Sequence, residues 1–413
     1  MRAPLRYPAF RRLASGRTAV SLGNAVAPVA LAFAVLDLTG SAVDLGIVVG
    51  ARSAATVVLV LFGGVLADRL PRPVLMQGTA AAAAVSQVAI GVSVLAGLAS
   101  VPLLVVLNVV NGALAAVSLP TGLAMTPQTV PSGLLRPANA VARMASNAGM
   151  VAGAPLGGLL AAFVGPGWAV TATSLAFALA AGCYHRLLAA IRPVAVGAAA
   201  ADPNAPSGRP PADLRAGWRE FSGRHWVWPV VLQFMVVNAV VTGCMQVLGP
   251  AVADRGVGRS GWGLVLAAET VGALVGGIVA SRWQPRRALY LGVAVTFVQA
   301  VPLLVMADAP VLGLLLAAMF VTGVALEQFA IAWDVSLQQH IPADRLAKVY
   351  SYDVIGSLVA MPIGETAAGP VAAAFGVPAT LHAGAALVVL ATAGTLCGRA
   401  VRVLRVGSGA ITP

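Results

Sequence analysis

Apolar residues run through this chain in long blocks separated by short polar joints. A helix needs about 20 such residues to cross the hydrocarbon core of a bilayer. On that ruler the first half holds six spans: Thr18–Leu38, Asp44–Ala67, Val74–Leu98, Pro102–Met125, Asn139–Val164 and Trp168–Leu188. The second half holds six more: Trp226–Val252, Gly261–Ser281, Ala288–Met306, Val311–Asp334, Val349–Phe375 and Ala379–Val401. Between them lies a polar segment with a Pro/Ala/Gly-rich piece, Asp202–Pro211, and an amphipathic stretch, Asp213–Ser222. No block shows the period-two alternation of a transmembrane strand. The pattern predicts an all-α membrane protein of twelve transmembrane helices in two six-helix bundles. Residues 1–188 form the first, 189–225 a cytoplasmic central loop and 226–413 the second.

Composition agrees. The chain is 59% hydrophobic and only 10% charged, against about 25% charged in soluble domains. Its net charge of +12 would suggest nucleic acid in a soluble protein. Here the arginines sit between apolar spans, and membrane orientation explains them. Of the odd-numbered connections, only the one between spans seven and eight carries arginine, Arg255 and Arg259. The termini and even-numbered connections carry nearly all the rest, so both termini and the central loop are expected in the cytoplasm. Cys183, Cys244 and Cys397 are isolated in apolar runs and read as buried free thiols. The histidines form no metal cluster. No small-residue cleavage site closes the first apolar run, so it is expected to stay as an anchor.

One joint stands out: Gly63-Gly64-Val65-Leu66-Ala67-Asp68-Arg69-Leu70-Pro71-Arg72, a glycine pair, an acid and two arginines between two spans. Its echo is Gly276-Gly277-Ile278-Val279-Ala280-Ser281-Arg282, with Arg286 and Arg287 following. A shift of 213 positions lays span two on span eight without a gap, matching Gly50 with Gly263, Ala54 with Ala267, both glycine pairs, and Arg69 with Arg282. Parallel six-helix repeats joined by a cytoplasmic loop are a transporter architecture.

These residues resemble the major facilitator superfamily. The joint from Gly64 to Arg72 is similar to its signature between helices two and three, with Pro71 and Pro73 as departures. Gly149, Gly153, Pro155, Gly157 and Gly158 in span five resemble its antiporter motif, with the proline displaced to Pro155. Phe10–Leu13, Asp37–Ser41, Trp218–Phe221, Gly261–Gly263 and Trp333–Pro342 look closest to the branch of the enterobactin exporter and macrolide-efflux proteins. Asn108 stands where many drug antiporters carry an arginine four residues before a glycine, here Gly112. The resemblance therefore implies that coupling uses other groups.

An ionisable group inside a bilayer costs at least about 2.5–3.5 kcal/mol, so each one needs a reason. Glu269, Glu327 and Glu365 lie deep in spans eight, ten and eleven. A carboxyl group exposed to each side in turn can carry a proton; the alternative is a neutral structural acid. Arg52 is about 12 Å down span two at the helical rise. It reads either as the partner of Asp37 in an outer ion pair or as a side chain snorkelling to Asp37 or Asp44. Asp334 and Asp353 read as interfacial partners of cytoplasmic arginines. The resemblance places Asn24, Asn108, Asn111, Gln233, Asn238 and Gln246 on cavity-lining helices, with helix–helix hydrogen bonding the equal alternative. It also makes Gly64, Asp68, Arg69, Arg72 and Asp353 a cytoplasmic gate.

The function this implies is secondary export of a small amphipathic molecule, such as a siderophore, macrolide or other natural product, by proton antiport with rocker-switch alternating access. A proton-coupled importer, a lysophospholipid flippase-like transporter and a non-transporting receptor or scaffold remain open at this point. No phosphate-binding loop ends in Gly-Lys-Ser/Thr, and Lys348 is the only lysine, which disfavours an ATP-driven pump. The expected partners are protons, the small-molecule cargo and the lipid bilayer. No enzyme activity, cofactor, metal or nucleic acid is expected, and the chain is expected to be a monomer in the cell membrane.

Overall fold

The computed structural model describes residues 3–69, 71–123, 125–190, 223–282, 285, 287–341 and 343–403. The long helices of the first half are α1 (Pro8–Thr39), α2 (Ala42–Arg69), α3 (Arg72–Leu95), α4 (Val101–Leu123), α5 (Leu135–Phe163) and α6 (Pro166–Ala190). Those of the second half are α7 (Val227–Arg255), α8 (Gly258–Arg282), α9 (Ala288–Asp308), α10 (Leu312–His340), α11 (Ala343–Phe375) and α12 (Val377–Cys397). Among the described residues eleven helices are long and apolar enough to cross a membrane, and α11 is helical over 33 residues.

Local chemistry sets the ends. Proline opens α1, where the missing N–H costs nothing. Gly40 closes it at φ 65°, its N–H donating to the Leu36 carbonyl at 2.8 Å. A β-carbon would resist that left-handed turn. Several helices outrun their predicted spans: α1 begins at Pro8, and α10 continues past Asp334 to His340. Polar residues at a helix end continue the backbone hydrogen-bond ladder outside the apolar stretch, so hydropathy reads the span short. Two helices are interrupted. In α7 the backbone widens to a π turn over Cys244–Leu248, and in α9 it tightens to a 3₁₀ turn over Thr296–Gln299.

The chain forms two compact units, Met1–Pro203 with Ala253–Ala267, and Asn204–Val252 with Ala268–Pro413. The 253–267 segment belongs by sequence to the second half but groups with the first unit. Inside unit 1, α1 packs on α5 and α6, α2 on α4, and α3 on α4 and α6. Inside unit 2, α7 packs on α11 and α12, and α9 on α10 and α12. The glycines of α8 and α10 bring those two helices together. Unit 2 thus repeats the neighbours of unit 1 advanced by six helices.

Small residues make this packing possible. A β-carbon at Gly112 of α4 would overlap the Arg52 carbonyl oxygen of α2, and one at Gly323 of α10 would overlap that of Glu269 in α8. Gly364 of α11 sits as closely on Ala239 of α7. Large apolar side chains such as Val85, Leu175 and Leu390 face outward, two-thirds or more exposed, as lipid-facing positions should. Of the three cysteines, Cys244 is buried, Cys183 half-buried and Cys397 exposed, so burial holds for one of them only. Cys397 is the last residue of α12, where packing gives out.

Candidate functional site

Unit 1 encloses a cavity of about 350 Å³ to which all six of its long helices contribute. On α1 the lining residues are Arg17, Val20, Ser21 and Asn24; on α4 they are Asn111, Leu114, Ala115 and Ser118. Both sets follow the i, i+3, i+4, i+7 spacing of one helix face. Met76, Thr79, Ala80 and Ala83 of α3 repeat it. Arg52, Ser146, Phe177 and Tyr184 complete the wall. Part of that wall is fastened. The Asn111 amide donates to Ser86 Oγ at 2.7 Å, and the Ser118 hydroxyl to Thr79 Oγ1 at 2.9 Å. Asn24 is exposed to the cavity. Asn108 is buried and turned back on its own helix, donating to the Leu104 carbonyl at 2.9 Å.

Unit 2 holds a cavity of about 360 Å³ between α7, α10 and α11. Three carboxylates line it, Glu327, Asp334 and Asp353, with Asn238 and Ser357. An aromatic wall backs it: Phe234 stacks on Phe329 at 3.9 Å between centroids, and Phe329 lies 6.2 Å from Trp333. The Trp333 indole N–H donates to Asp353 Oδ2 at 3.0 Å. Asp353 therefore has an indole partner among the described residues, where an arginine was expected. Glu327 projects beside the glycine pair of α8, with its Oε1 3.8 Å from where a Gly277 β-carbon would stand. Next to it, the Gln328 amide donates to the Gly276 carbonyl at 2.7 Å. The structure so brings together the second glycine pair and an acid that the sequence treats separately.

The other two deep acids sit differently. Glu365 on α11 is 3% exposed, and Glu269 on α8 is half-buried; neither lines this cavity. Gln233 is part of a buried knot, its amide donating to Thr296 Oγ1 at 2.8 Å and to Thr392 Oγ1 at 3.1 Å. It joins α7, α9 and α12, which is the helix–helix role rather than cavity lining. Gln246 lies in the π turn of α7. In α5, Gly149, Gly153 and Gly157 form one stripe against Thr18, Leu22, Ala25 and Val26 of α1. Gly158 faces the other way, onto Arg259 and Gly263 at the start of α8, and Gly263 in turn abuts Pro155. Arg72 opens α3. Gly64, Asp68 and Arg69 fall where α2 is helical, but their side chains lie outside the described residues. Most of the central loop, 191–222, also lies outside them.

At the outer end Asp37 has a partner that the sequence did not suggest. Arg259 takes Asp37 in a two-point contact: Nη1 donates to Oδ2 at 2.9 Å and Nη2 to Oδ1. Its Nε donates to Asp254 Oδ1 at 2.8 Å, and its guanidinium carbon lies 5.1 Å from the centre of the buried Phe33 ring. Arg52 lines the unit 1 cavity. Arg259 lies more than 200 residues from Asp37 in the chain, so spacing along the sequence gave no cue to the pair. The pair is partly solvent-exposed, 21% for Arg259 and 44% for Asp37, and exposed pairs contribute at most about 1 kcal/mol. That strength suits a contact made and broken repeatedly. With native cysteines replaced, Asp37→Asn should raise labelling of Ser260→Cys by a membrane-impermeant maleimide several-fold. Unchanged labelling would mean that this cluster does not hold the end of α1 on the start of α8.

Among the described residues no group of three His, Cys, Asp or Glu is placed to hold a metal ion. Long glycine-packed helices in each half of the chain, with a cavity in each unit, match a known family. Its profile, Major Facilitator Superfamily, covers residues 13–365. This chain belongs to the major facilitator superfamily. As a member it is a multi-pass membrane protein, a secondary transporter of a small molecule and not an enzyme. The chain is 30% identical over 399 residues to the multidrug efflux pump Tap of Mycolicibacterium fortuitum, covering 92% of both chains. Solved structures share the superfamily fold. A bacterial homolog of the human lysosomal transporter Spinster, inward-facing and unoccupied, aligns with TM-score 0.73 at 17% identity, over 95% of this chain and 97% of that one. The nucleoside transporter NupG aligns with TM-score 0.75 at 12% identity, over 94% and 98%.

Proposed function

We propose that this transporter exports a small amphipathic molecule in exchange for protons, by rocker-switch alternating access. The carrying observation is the 30% identity to a multidrug efflux pump across 92% of both chains. The cargo class is that of siderophores, macrolides and similar natural products, in line with the branch resemblance of Phe10–Leu13 and Trp333–Pro342. Glu327 is the proton carrier of this mechanism, because it lines the unit 2 cavity, which Glu269 and Glu365 do not, and lies beside the α8 glycine pair. Protonation from outside neutralises it and favours release of cargo, and deprotonation to the cytoplasm resets it. The halves 1–188 and 226–413 rock about the central loop, with both termini cytoplasmic, and the chain works as a monomer. Asp68, Arg69 and Arg72 act at the inner end as a gate, and the Asp37–Arg259–Asp254 cluster at the outer end.

The test is flux in proteoliposomes. A panel of fluorescent amphipaths is loaded with protein in known orientation, and an inward proton gradient is imposed. Export that collapses with an uncoupler supports the reading. Accumulation in the direction of proton flow would make the protein an importer, and flux indifferent to the gradient would remove proton coupling.

A further inference from the structure

The unit 1 cavity has an electrostatic character that the proton mechanism does not use. Arg17 and Arg52 both line it, and none of its lining residues among the described ones is acidic. A guanidinium stays protonated at any physiological pH, and within a bilayer its charge is felt far more strongly than in water. The neutral polar groups around it, among them Ser21, Asn24, Ser146 and Tyr184, can all donate hydrogen bonds. Arg17, Ser21 and Asn24 lie on one face of α1, a ladder of donors about 10 Å long at the helical rise. The remaining wall, Val20, Met76, Leu114 and Phe177, is apolar. A cavity with fixed positive charge, donors in a row and an apolar flank fits an anionic head on an apolar body. It repels an organic cation.

We propose that this cavity binds the acidic headgroup of an amphipathic molecule, a carboxylate or phosphate, with Arg17 and Arg52 as its charge partners. Arginine meets both groups through paired N–H donors. Assigning the bound acid to the exported cargo rests on the function proposed above; the binding itself does not.

The test is equilibrium binding, which needs no flux. Protein purified in a neutral maltoside detergent is titrated with dodecanoate, dodecyl phosphate, dodecanamide and inorganic phosphate, followed by calorimetry. The two acidic amphipaths should bind at least about ten-fold more tightly than the amide, the return expected of charge-assisted hydrogen bonds over neutral ones. Inorganic phosphate, lacking a tail, should bind more weakly than dodecyl phosphate. Arg17→Gln and Arg52→Gln should each erase most of the preference for acid over amide and leave amide affinity alone. Equal affinity of acid and amide in the unaltered protein would overturn the proposal whether or not either variant folds, as would a preference that survives both substitutions. In nanodiscs, replacing phosphatidylcholine by phosphatidylglycerol identifies the source. Loss of dodecanoate binding assigns the site to a lipid headgroup, and unchanged binding assigns it to a free amphipath. Acid-selective binding without any export would sink the proposed function and leave this site standing; export without acid selectivity would do the reverse.

Discussion

Replacing Glu327 by glutamine is expected to bring pH-gradient-driven transport down to background while the protein still inserts and still binds cargo. The substitution keeps the shape and removes only the group that can take and release a proton. The surroundings should survive it, because the anchoring hydrogen bond in this turn belongs to Gln328, which donates to the Gly276 carbonyl at 2.7 Å. Glu327 itself reaches the cavity shared with Asn238, Asp334 and Asp353. It also lies beside Gly277 on the α8–α10 seam, where a sliding contact can feel its charge. The measurement is cargo flux in proteoliposomes with and without an imposed gradient, beside cargo binding to the same preparation. Undiminished coupled transport would take Glu327 out of the mechanism and turn attention to Glu365, buried to 3% exposure, and to Glu269.

A second large effect is expected from Gly153→Val in α5. A β-carbon there would come within 2.6 Å of the Ala25 β-carbon and 2.8 Å of the Leu22 carbonyl oxygen, both on α1. Neither the backbone nor an alanine can swing away, so α1 and α5 would have to part. Overpacking of this kind costs about 1–3 kcal/mol, read as a melting temperature several degrees lower with transport lost in parallel. Gly182→Ala in α6 is the control, since a β-carbon there meets nothing within 4 Å. A Gly153→Val protein that melts like the parent would show that the α1–α5 seam is looser than this packing implies.

The sequence made the architecture readable because bilayer chemistry leaves so few options. A spanning segment must be helical, long and apolar, and each predicted span has a helix at its place. Helix ends were harder, because polar residues such as Gln338 and Gln339 carry α10 beyond its apolar run at no penalty. The π turn in α7 left no signature in the apolar pattern. The glycine stripe of α5 was legible in full, since Gly149, Gly153 and Gly157 repeat at four-residue intervals. The ion pair was not. Asp37 meets Arg259 through a contact between distant parts of the chain, which proximity in sequence does not indicate. The unit 1 cavity was legible in part: Asn24 and Asn111 were named as cavity candidates and line it, but Arg17, on the same α1 face as Ser21 and Asn24, falls one residue outside the apolar run that defined span one.

The knot of Gln233, Thr296 and Thr392 carries a consequence for how this protein can drift over generations. Each of the three buried groups answers to the other two, so changing one to an aliphatic residue removes two of the three hydrogen bonds, together about 1–3 kcal/mol. Changing all three together could be nearly neutral. Selection should therefore hold them as a set. Family members are expected to carry either the whole polar triangle or none of it, and a lineage passing between the two would have to tolerate a less stable ancestor on the way.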